Sequence, residues 1–509
     1  MYMRYLFSRD LKLGVELMEE RTELNKTLKP HWVWAIALGS AIGWGAFIQP
    51  VDWMATAGPL GVIIGFGIGA MLMMLIAVSY GFLIRSFPVS GGEFAYAFIS
   101  LGRTHAFISG WFLTLGYICI VALNASAFSL MFKYVFPSVI EHFHIYTIAG
   151  WEVYGMEIII ATVVLIVFGY LNVKGTGISG GTQFIFAVVM VASVVLLTIA
   201  VGGQPNTSLA NMQPYFPSDK TTFAAIISIV AIAPWAYVGF DAVPQAAEEF
   251  DFPARKAFGL IIFALIAAAA IYSLMIIATS IASPWEEVVA ENNLWGTGVI
   301  IENLLGVTGL GILVIALTMG IFTGLNGFVL AGSRLLFAMS RAKILPGIFG
   351  DLHPKHKTPH MAIIFTVLIS AAAPWFGREA LVWVVDMSSI GVSIAYFYTC
   401  YTSFFLFRWS NSGITNSSIQ MVSPMKKLIS LIGIVASTIF IFLLLIPVSP
   451  AFMGKESIVA LIVWIVLGIV FYLFKRKEYQ EIPEEELRYL ILGNHAREEE
   501  KIDGFMNEF

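Results

Sequence analysis

Residues 31–56 read HWVWAIALGSAIGWGAFIQPVDWMAT, and the reading of this stretch decides the fold. About 20 apolar residues at 1.5 Å rise cover a hydrocarbon core of roughly 30 Å, so it is long enough to cross a bilayer. Apart from His31, its only ionisable side chain is Asp52. Yet Gly39, Gly43 and Gly45 stand at its centre, and each costs about 1 kcal/mol relative to alanine in a helix. One reading is a span broken into two half-helices, with Ile42, Gly43, Trp44 and Gly45 unwound at mid-membrane. Free backbone groups are tolerated at that depth only where they line a cavity or bind something, and a half-helix starting near Gly45 would turn its positive dipole end toward an anion. The other reading is close helix packing, which glycine also permits.

Working outward, the whole chain has the same character. Of its 509 residues 58% are hydrophobic and 12% charged, against about 25% charged in soluble domains, which makes it an all-α polytopic membrane protein. Twelve charge-poor blocks lie between residues 31 and 474, the eighth covering 307–340, and each is read as one transmembrane helix. The first thirty residues lack the apolar core of a cleavable signal, so the first span does the targeting. All but four of the 29 Lys and Arg fall on one side of this topology, the exceptions being Lys133, Lys220, Arg378 and Lys455. That asymmetry places both tails in the cytoplasm of a cell membrane. The segment Pro284–Glu302, with four glutamates and no Lys or Arg, then lies outside.

A second interrupted stretch is AIAPWAYVGFDAVPQAAEEF, residues 231–250. Pro234 cannot donate a backbone hydrogen bond, Gly239 weakens the next turn, and Asp241 is ionisable within an apolar run. An intramembrane carboxylate marks either a functional site, here substrate binding or ion coupling, or a structural salt bridge. The breaks in spans one and six stand one five-helix unit apart. This is the pattern of a five-plus-five inverted repeat, in which two interrupted helices meet antiparallel at the substrate, one offering N–H groups and the other carbonyls. The expected organisation is a tail at 1–30, repeats at 31–202 and 222–408, two peripheral helices within 427–474, and a tail at 475–509.

Other polar residues fit this frame in two ways. Asn124 with Ser126 and Ser129 in span three, and Thr323 and Asn326 in span eight, either bond between helices or offer oxygen ligands to substrate or a cation. Gly65, Gly67 and Gly69 read as a helix-packing surface, and residues 87–111 as a connector lying along the membrane edge. The run at 10–29 reads as a solvated helix, and the C-terminal tail carries no recognisable chemistry. Cys119 and Cys400 have no paired-thiol or metal spacing. No His-Glu metal motif, nucleophile pair or paired intramembrane carboxylates are seen, so no enzyme, metal or cofactor is expected. A net charge of −4 is too small to imply a nucleic-acid partner. The oligomeric state stays open.

Four stretches together resemble the amino acid–polyamine–organocation (APC) superfamily, with its LeuT-type inverted-repeat fold. GSAIGWGAF (39–47) is similar to that family's G-x-x-I-G-x-G-I-F, PVSGGEFAY (88–96) to its P-x-(S/A)-G-G-x-(Y/F)-x-Y, AYVGFDAVPQAAEE (236–249) to its A-Y-x-G-(F/W)-(D/E), and GSRLLFAMSRAKILP (332–346) to its S-R-L-L-F-A-M-A-R-D-G-x-L-P. The resemblance implies secondary transport of an amino acid by alternating access at a site between spans one, three, six, eight and ten. A polyamine or small-amine carrier, or a transporter-derived sensor without net flux, is the alternative. By position, the backbone at Ile42, Gly43, Trp44 and Gly45 would bind the substrate carboxylate. Carbonyls near Ala233, Pro234, Trp235 and Ala236 would take the ammonium, Trp235 standing where some members have an aromatic gate. Coupling to H+ or Na+, through Asp241 or Thr323, is the corresponding expectation. Two departures stand out. Trp44 occupies a position usually small in the family, and Gly180-Gly181-Thr182 occupies the region where some proton-coupled members carry a lysine.

Overall fold

The computed structural model describes residues 21–148, 151–291, 293, 295–377, 379–410, 424–449 and 452–493. Its principal helices, in chain order, are α1 (Pro30–Ile42), α2 (Gly45–Ile48), α3 (Pro50–Ser86), α4 (Gly92–Val135), α5 (Gly155–Val173), α6 (Thr176–Gly202), α7 (Thr222–Ala231) and α8 (Ala233–Ala236). They continue as α9 (Ala242–Gln245), α10 (Ala257–Ala282), α11 (Gly296–Arg341), α12 (His360–Ser370), α13 (Glu379–Ser410), α14 (Pro424–Leu445), α15 (Lys455–Glu481) and α16 (Glu484–Leu492). Among the described residues nine helical segments are long and apolar enough to cross a membrane, and α7 and α12 are shorter apolar helices. Between α4 and α5 two strands, β1 (His144–Ile148) and β2 (Trp151–Tyr154), pair antiparallel, an element the sequence reading did not anticipate.

The helices α3, α4 and α11 run for 37, 44 and 46 residues, far beyond the roughly 20 that one crossing needs. Each is divided by a glycine of positive φ: Gly58 (+70°), Gly102 (+76°) and Gly306 (+65°). The kink at Gly306 coincides with the start of the apolar block at 307–340. Gly58 divides α3 where the first span ends, and a side chain there would run into the carbonyl of Tyr215. The glycine ladder in α3 has one packed face. A Cβ at Gly65 would lie 2.5 Å from Ile229 and one at Gly69 2.7 Å from Ala233, whereas one at Gly67 would meet nothing within 4 Å. Gly65 and Gly69, four residues apart, therefore admit the sixth span, and Gly67 faces away.

The connector after α3 differs from expectation. Residues 92–98 form the first turns of α4, and Phe94, Tyr96 and Phe98 are buried in the core rather than spread along a membrane edge. The N-terminal run was read as a solvated helix. Residues 10–20 lie outside the described residues, and 21–29 are non-helical and docked: Leu28 donates to the Glu249 carbonyl at 2.8 Å and accepts from Asp251 N–H at 2.9 Å. The C-terminal tail is docked as well, as far as residue 493. Leu487, Leu490, Ile491 and Leu492 of α16 are buried, and the Leu490 carbonyl accepts from Arg21 Nε at 3.2 Å.

Both ends of the described chain thus meet at one face of the bundle, around two carboxylates that follow α9. Arg334 and Glu249 form a fully buried pair, Nε to Oε1 at 2.8 Å and Nη2 to Oε2 at 3.4 Å. Glu248 accepts from Arg341 Nη2 at 2.7 Å and Nη1 at 3.0 Å, from the Ser90 N–H at 3.1 Å, and from Arg21. Burial alone would push the Glu248 carboxyl up, but Arg341 and Arg21 outweigh it and hold it at about 2, below its ordinary 4.5. A depressed folded value stabilises the fold fully above pH about 4.5, and the gain is lost as pH falls toward 2, a difference on the order of 3 kcal/mol. Glu248→Gln is therefore expected to melt well below the wild type at pH 7 in detergent, and the gap should close as pH drops below 4.5. A gap independent of pH would show that the charge does not act through this pairing. On the opposite face the segment before α11 closes over α2, with Trp295 Nε1 donating to the Phe47 carbonyl at 3.0 Å.

Candidate binding site at the two helix breaks

The glycines of the first span produce a break. α1 stops at Ile42, Gly43 takes φ +52° and ψ −141°, and its N–H closes the helix on the Gly39 carbonyl at 3.2 Å. α2 then starts at Gly45 and leads through Gln49 into the first turns of α3. The N–H groups of Phe47 and Ile48 close on the Trp44 carbonyl at 3.1 and 3.2 Å, which leaves those of Gly45 and Ala46 without a helical acceptor at the break. In the sixth span α7 ends at Ala231 and α8 at Ala236, and residues 237–241 form a turn in which Gly239 takes φ +136°. No L side chain suits that backbone.

Tyr272 of α10 joins the two breaks. Its hydroxyl lies 2.9 Å from the Ala41 carbonyl and 2.7 Å from that of Ala236, and its one proton can serve only one of them at a time. The sequence reading missed this residue. The breaks also touch directly through two indoles: Trp44 and Trp235 meet edge to face with ring centroids 6.0 Å apart. Gly45 is the surface on which the Trp235 ring rests, since a Cβ there would approach Cη2 to 2.9 Å.

Between the breaks lies a cavity of about 20 Å³, room for about one water. Ile42, Gly43, Trp44, Gly45, Asn124 and Trp235 line it, together with Ser40, Ala41, Ile120, Leu123, Val238 and Tyr272. Its polar atoms are unusually bare. Ser40 Oγ, Trp44 Nε1 and Asn124 Oδ1 are buried without a hydrogen-bond partner, although Asn124 Nδ2 donates to the Ile120 carbonyl at 2.9 Å. Ala233, Pro234, Ala236 and Gly239 belong to the sixth-span break but do not line this space.

Asp241 lies beneath the break and is fully buried. Its Oδ1 accepts the Gly239 N–H at 2.6 Å and its Oδ2 the Tyr117 hydroxyl at 2.9 Å, so it holds the turn in shape. Glu93, at the start of α4, is a second fully buried carboxylate. The two sit 148 positions apart, and Glu93 falls in a stretch that read as a peripheral connector.

Thr323 and Asn326 lie elsewhere. Thr323 Oγ1 lies 3.0 Å from the Gly39 carbonyl and 2.8 Å from that of Gly320, securing α11 to the end of α1. Asn326 is away from the cavity. Its Oδ1 accepts from Asn172 Nδ2 and Ser179 Oγ, and its Nδ2 donates to Gln183 Oε1 and the Ser179 carbonyl. Gln183, also unforeseen, donates from Nε2 to the Ala35 carbonyl at 3.2 Å and the Thr323 carbonyl at 3.1 Å. One neutral amide in α6 therefore ties α1 to α11.

The profile of the amino acid permease family matches residues 32–470. The chain belongs to that family. The permease is 27% identical to the branched-chain amino acid permease BcaP of Bacillus subtilis (strain 168), covering 88% of this chain and 92% of that protein. It is 26% identical to the methylthioribose transporter of the same organism, over 76% of this chain and 83% of the other. With the aromatic amino acid transport protein AroP of Escherichia coli (strain K12) it shares 24% identity over 91% of this chain and 98% of the relative. Family membership and the apolar spans make the permease a membrane protein.

Proposed function

We propose that the permease carries an amino acid across the plasma membrane as a secondary transporter, by alternating access. The architecture we infer is twelve transmembrane helices of LeuT type. They comprise five-helix repeats at 31–202 and 222–408 with broken first and sixth spans, two peripheral helices within 427–474, and cytoplasmic ends at 1–30 and 475–509. The observation that carries this reading is the meeting of the two breaks at one cavity. There the end of α1 and the start of α2 line one space with Trp235 of α8 and Tyr272, and the bare polar atoms of Ser40, Trp44 and Asn124 stand around it. A zwitterion fits such a site, its carboxylate toward the N–H groups and its ammonium toward the carbonyls. The names of BcaP and AroP point to the same substrate class. A neutral sugar derivative, as the name of the methylthioribose transporter suggests, would leave those two opposed ends without charges to hold.

An amino acid is several times the bulk of one water, so this conformation is closed, and Trp44 and Trp235 must part to admit substrate. Proteoliposomes containing the purified protein should take up or exchange at least one labelled amino acid well above empty vesicles. Failure with all twenty, and with common polyamines, would overturn the reading. Trp44 should then set the size limit. Trp44→Ser is expected to shift a competition panel toward bulkier side chains by about tenfold in relative inhibition, worth about 1.4 kcal/mol. An unchanged ranking would mean that the indole does not bound the pocket.

The junction of α1, α6 and α11 supports a proton as the coupling ion. Gln183 Nε2 donates to the Ala35 and Thr323 carbonyls, and the Thr323 hydroxyl serves one of those of Gly39 and Gly320, so most of the oxygens that could hold a sodium ion there are engaged.

A further inference from the structure

We infer that Glu93 is the residue that carries the coupling proton through the transport cycle. This rests on the transport reading above and deepens it by naming the ion and its carrier. Glu93 is fully buried where α3, α4 and the sixth span converge. Its Oε1 accepts the Tyr80 hydroxyl from α3 at 2.7 Å, and its Oε2 faces Nε2 of Gln245 from α9 at 2.5 Å. The other titratable groups that act on it are Asp241 in the sixth-span turn, Tyr96 on its own helix, Tyr117 further along α4, and Tyr396 on α13. All are acids. Among the described residues no Lys, Arg or His forms an ion pair with Glu93 or Asp241.

The contrast with the next layer is informative. Glu248 and Glu249, just beyond α9, are given Arg341, Arg21 and Arg334. An anion buried without a counter-charge is strongly disfavoured, so Glu93 and Asp241 are not both held ionised at once. Asp241 has a backbone N–H and a phenol as fixed donors. Glu93 has a phenol and a side-chain amide, and Oε1 of that amide is buried without a partner. Half a turn of the Gln245 amide would offer that oxygen to a Glu93 O–H. The proton therefore sits on a group held between α3 and the sixth span. Asp241 precedes α9 and Gln245 is its last residue, and Asp241 ends the turn that begins after Trp235 and Ala236. Substrate that moves the break thus changes the surroundings of Glu93, and the proton is taken from water on one side and given up on the other.

If Glu93 merely fastened α4 to its neighbours, glutamine, which keeps the shape and a bond to Tyr80, would preserve every property of transport. The experiment compares wild type, Glu93→Gln and Glu93→Asp in proteoliposomes. Its substrate is the labelled amino acid that best raises the melting temperature of the wild type, and no sodium gradient is imposed. One unit of inwardly directed pH gradient should drive about tenfold accumulation by the wild type, fall to about onefold in Glu93→Gln while substrate-for-substrate exchange persists, and recover in Glu93→Asp. Wild-type accumulation by Glu93→Gln would overturn the inference. So would a wild type that exchanges substrate but ignores the gradient, and both results leave the transport reading standing. A wild type with neither uptake nor exchange overturns the transport reading instead. Should Glu93→Gln not be recovered folded, the wild type alone decides through its substrate-induced infrared difference spectrum. A change in the protonated-carboxyl band is expected, and a flat spectrum in that region overturns the inference.

Discussion

Gly239→Ala is expected to abolish uptake and to sharply reduce the yield of folded protein. Gly239 takes φ +136°, a backbone state that L residues rarely adopt. Its Cβ would also stand 2.5 Å from the Ala41 nitrogen and 2.7 Å from the Ser40 carbonyl carbon. Those are main-chain atoms of α1, so no rotamer change can relieve the overlap. Either the sixth-span turn or the end of α1 must move, at a cost of at least about 3 kcal/mol from strain and overpacking together. Fluorescence-detected size exclusion and uptake into proteoliposomes would read the two effects. Gly67→Ala is the control, because a Cβ there meets nothing within 4 Å. Normal uptake by Gly239→Ala would show that the two breaks do not pack as described.

Arg334→Ala should be nearly as damaging, for an electrostatic reason. Arg334 is wholly buried, and its guanidinium spans both oxygens of Glu249. Removing one partner of such a pair leaves a charge stranded in low dielectric, typically about 3–5 kcal/mol. The test is a double-mutant cycle in detergent melts. Glu249→Gln alone should also destabilise, whereas Arg334→Met with Glu249→Gln should recover much of the loss, since neither charge then remains. If Arg334→Ala melts with the wild type, the ion pair contributes nothing and the packing account of this face is wrong.

The breaks were legible in the sequence because they depend on residues that cannot disguise themselves. Gly43, Gly45, Pro234 and Gly239 weaken a helix wherever they stand in an apolar run, and Trp44, Trp235 and Asn124 were within reach once the breaks were paired. Other parts were not legible because their roles depend on distant neighbours. Tyr272 and Gln183 are polar residues in apolar helices, with no periodicity to mark them, and Tyr272 meets Ala41 across 231 positions. Glu93 lay in a stretch whose aromatic residues suggested a membrane edge, and only the burial of Phe94 and Tyr96 reveals it as interior. Asn326 and Thr323 looked equivalent on one helix. Three residues apart, they face different partners, and only Thr323 touches the first break.

The way the two chain ends attach has a mechanical implication. Glu248 gathers Arg21, Arg341 and the Ser90 amide, while Arg21 also grips the Leu490 carbonyl of α16. Five stretches remote in sequence thus share one pin, set beside the separate contacts of Leu28 with Glu249 and Asp251 and of Arg334 with Glu249. Drawing that pin would loosen all five at once, so the loss of one carboxylate should be felt across the whole face.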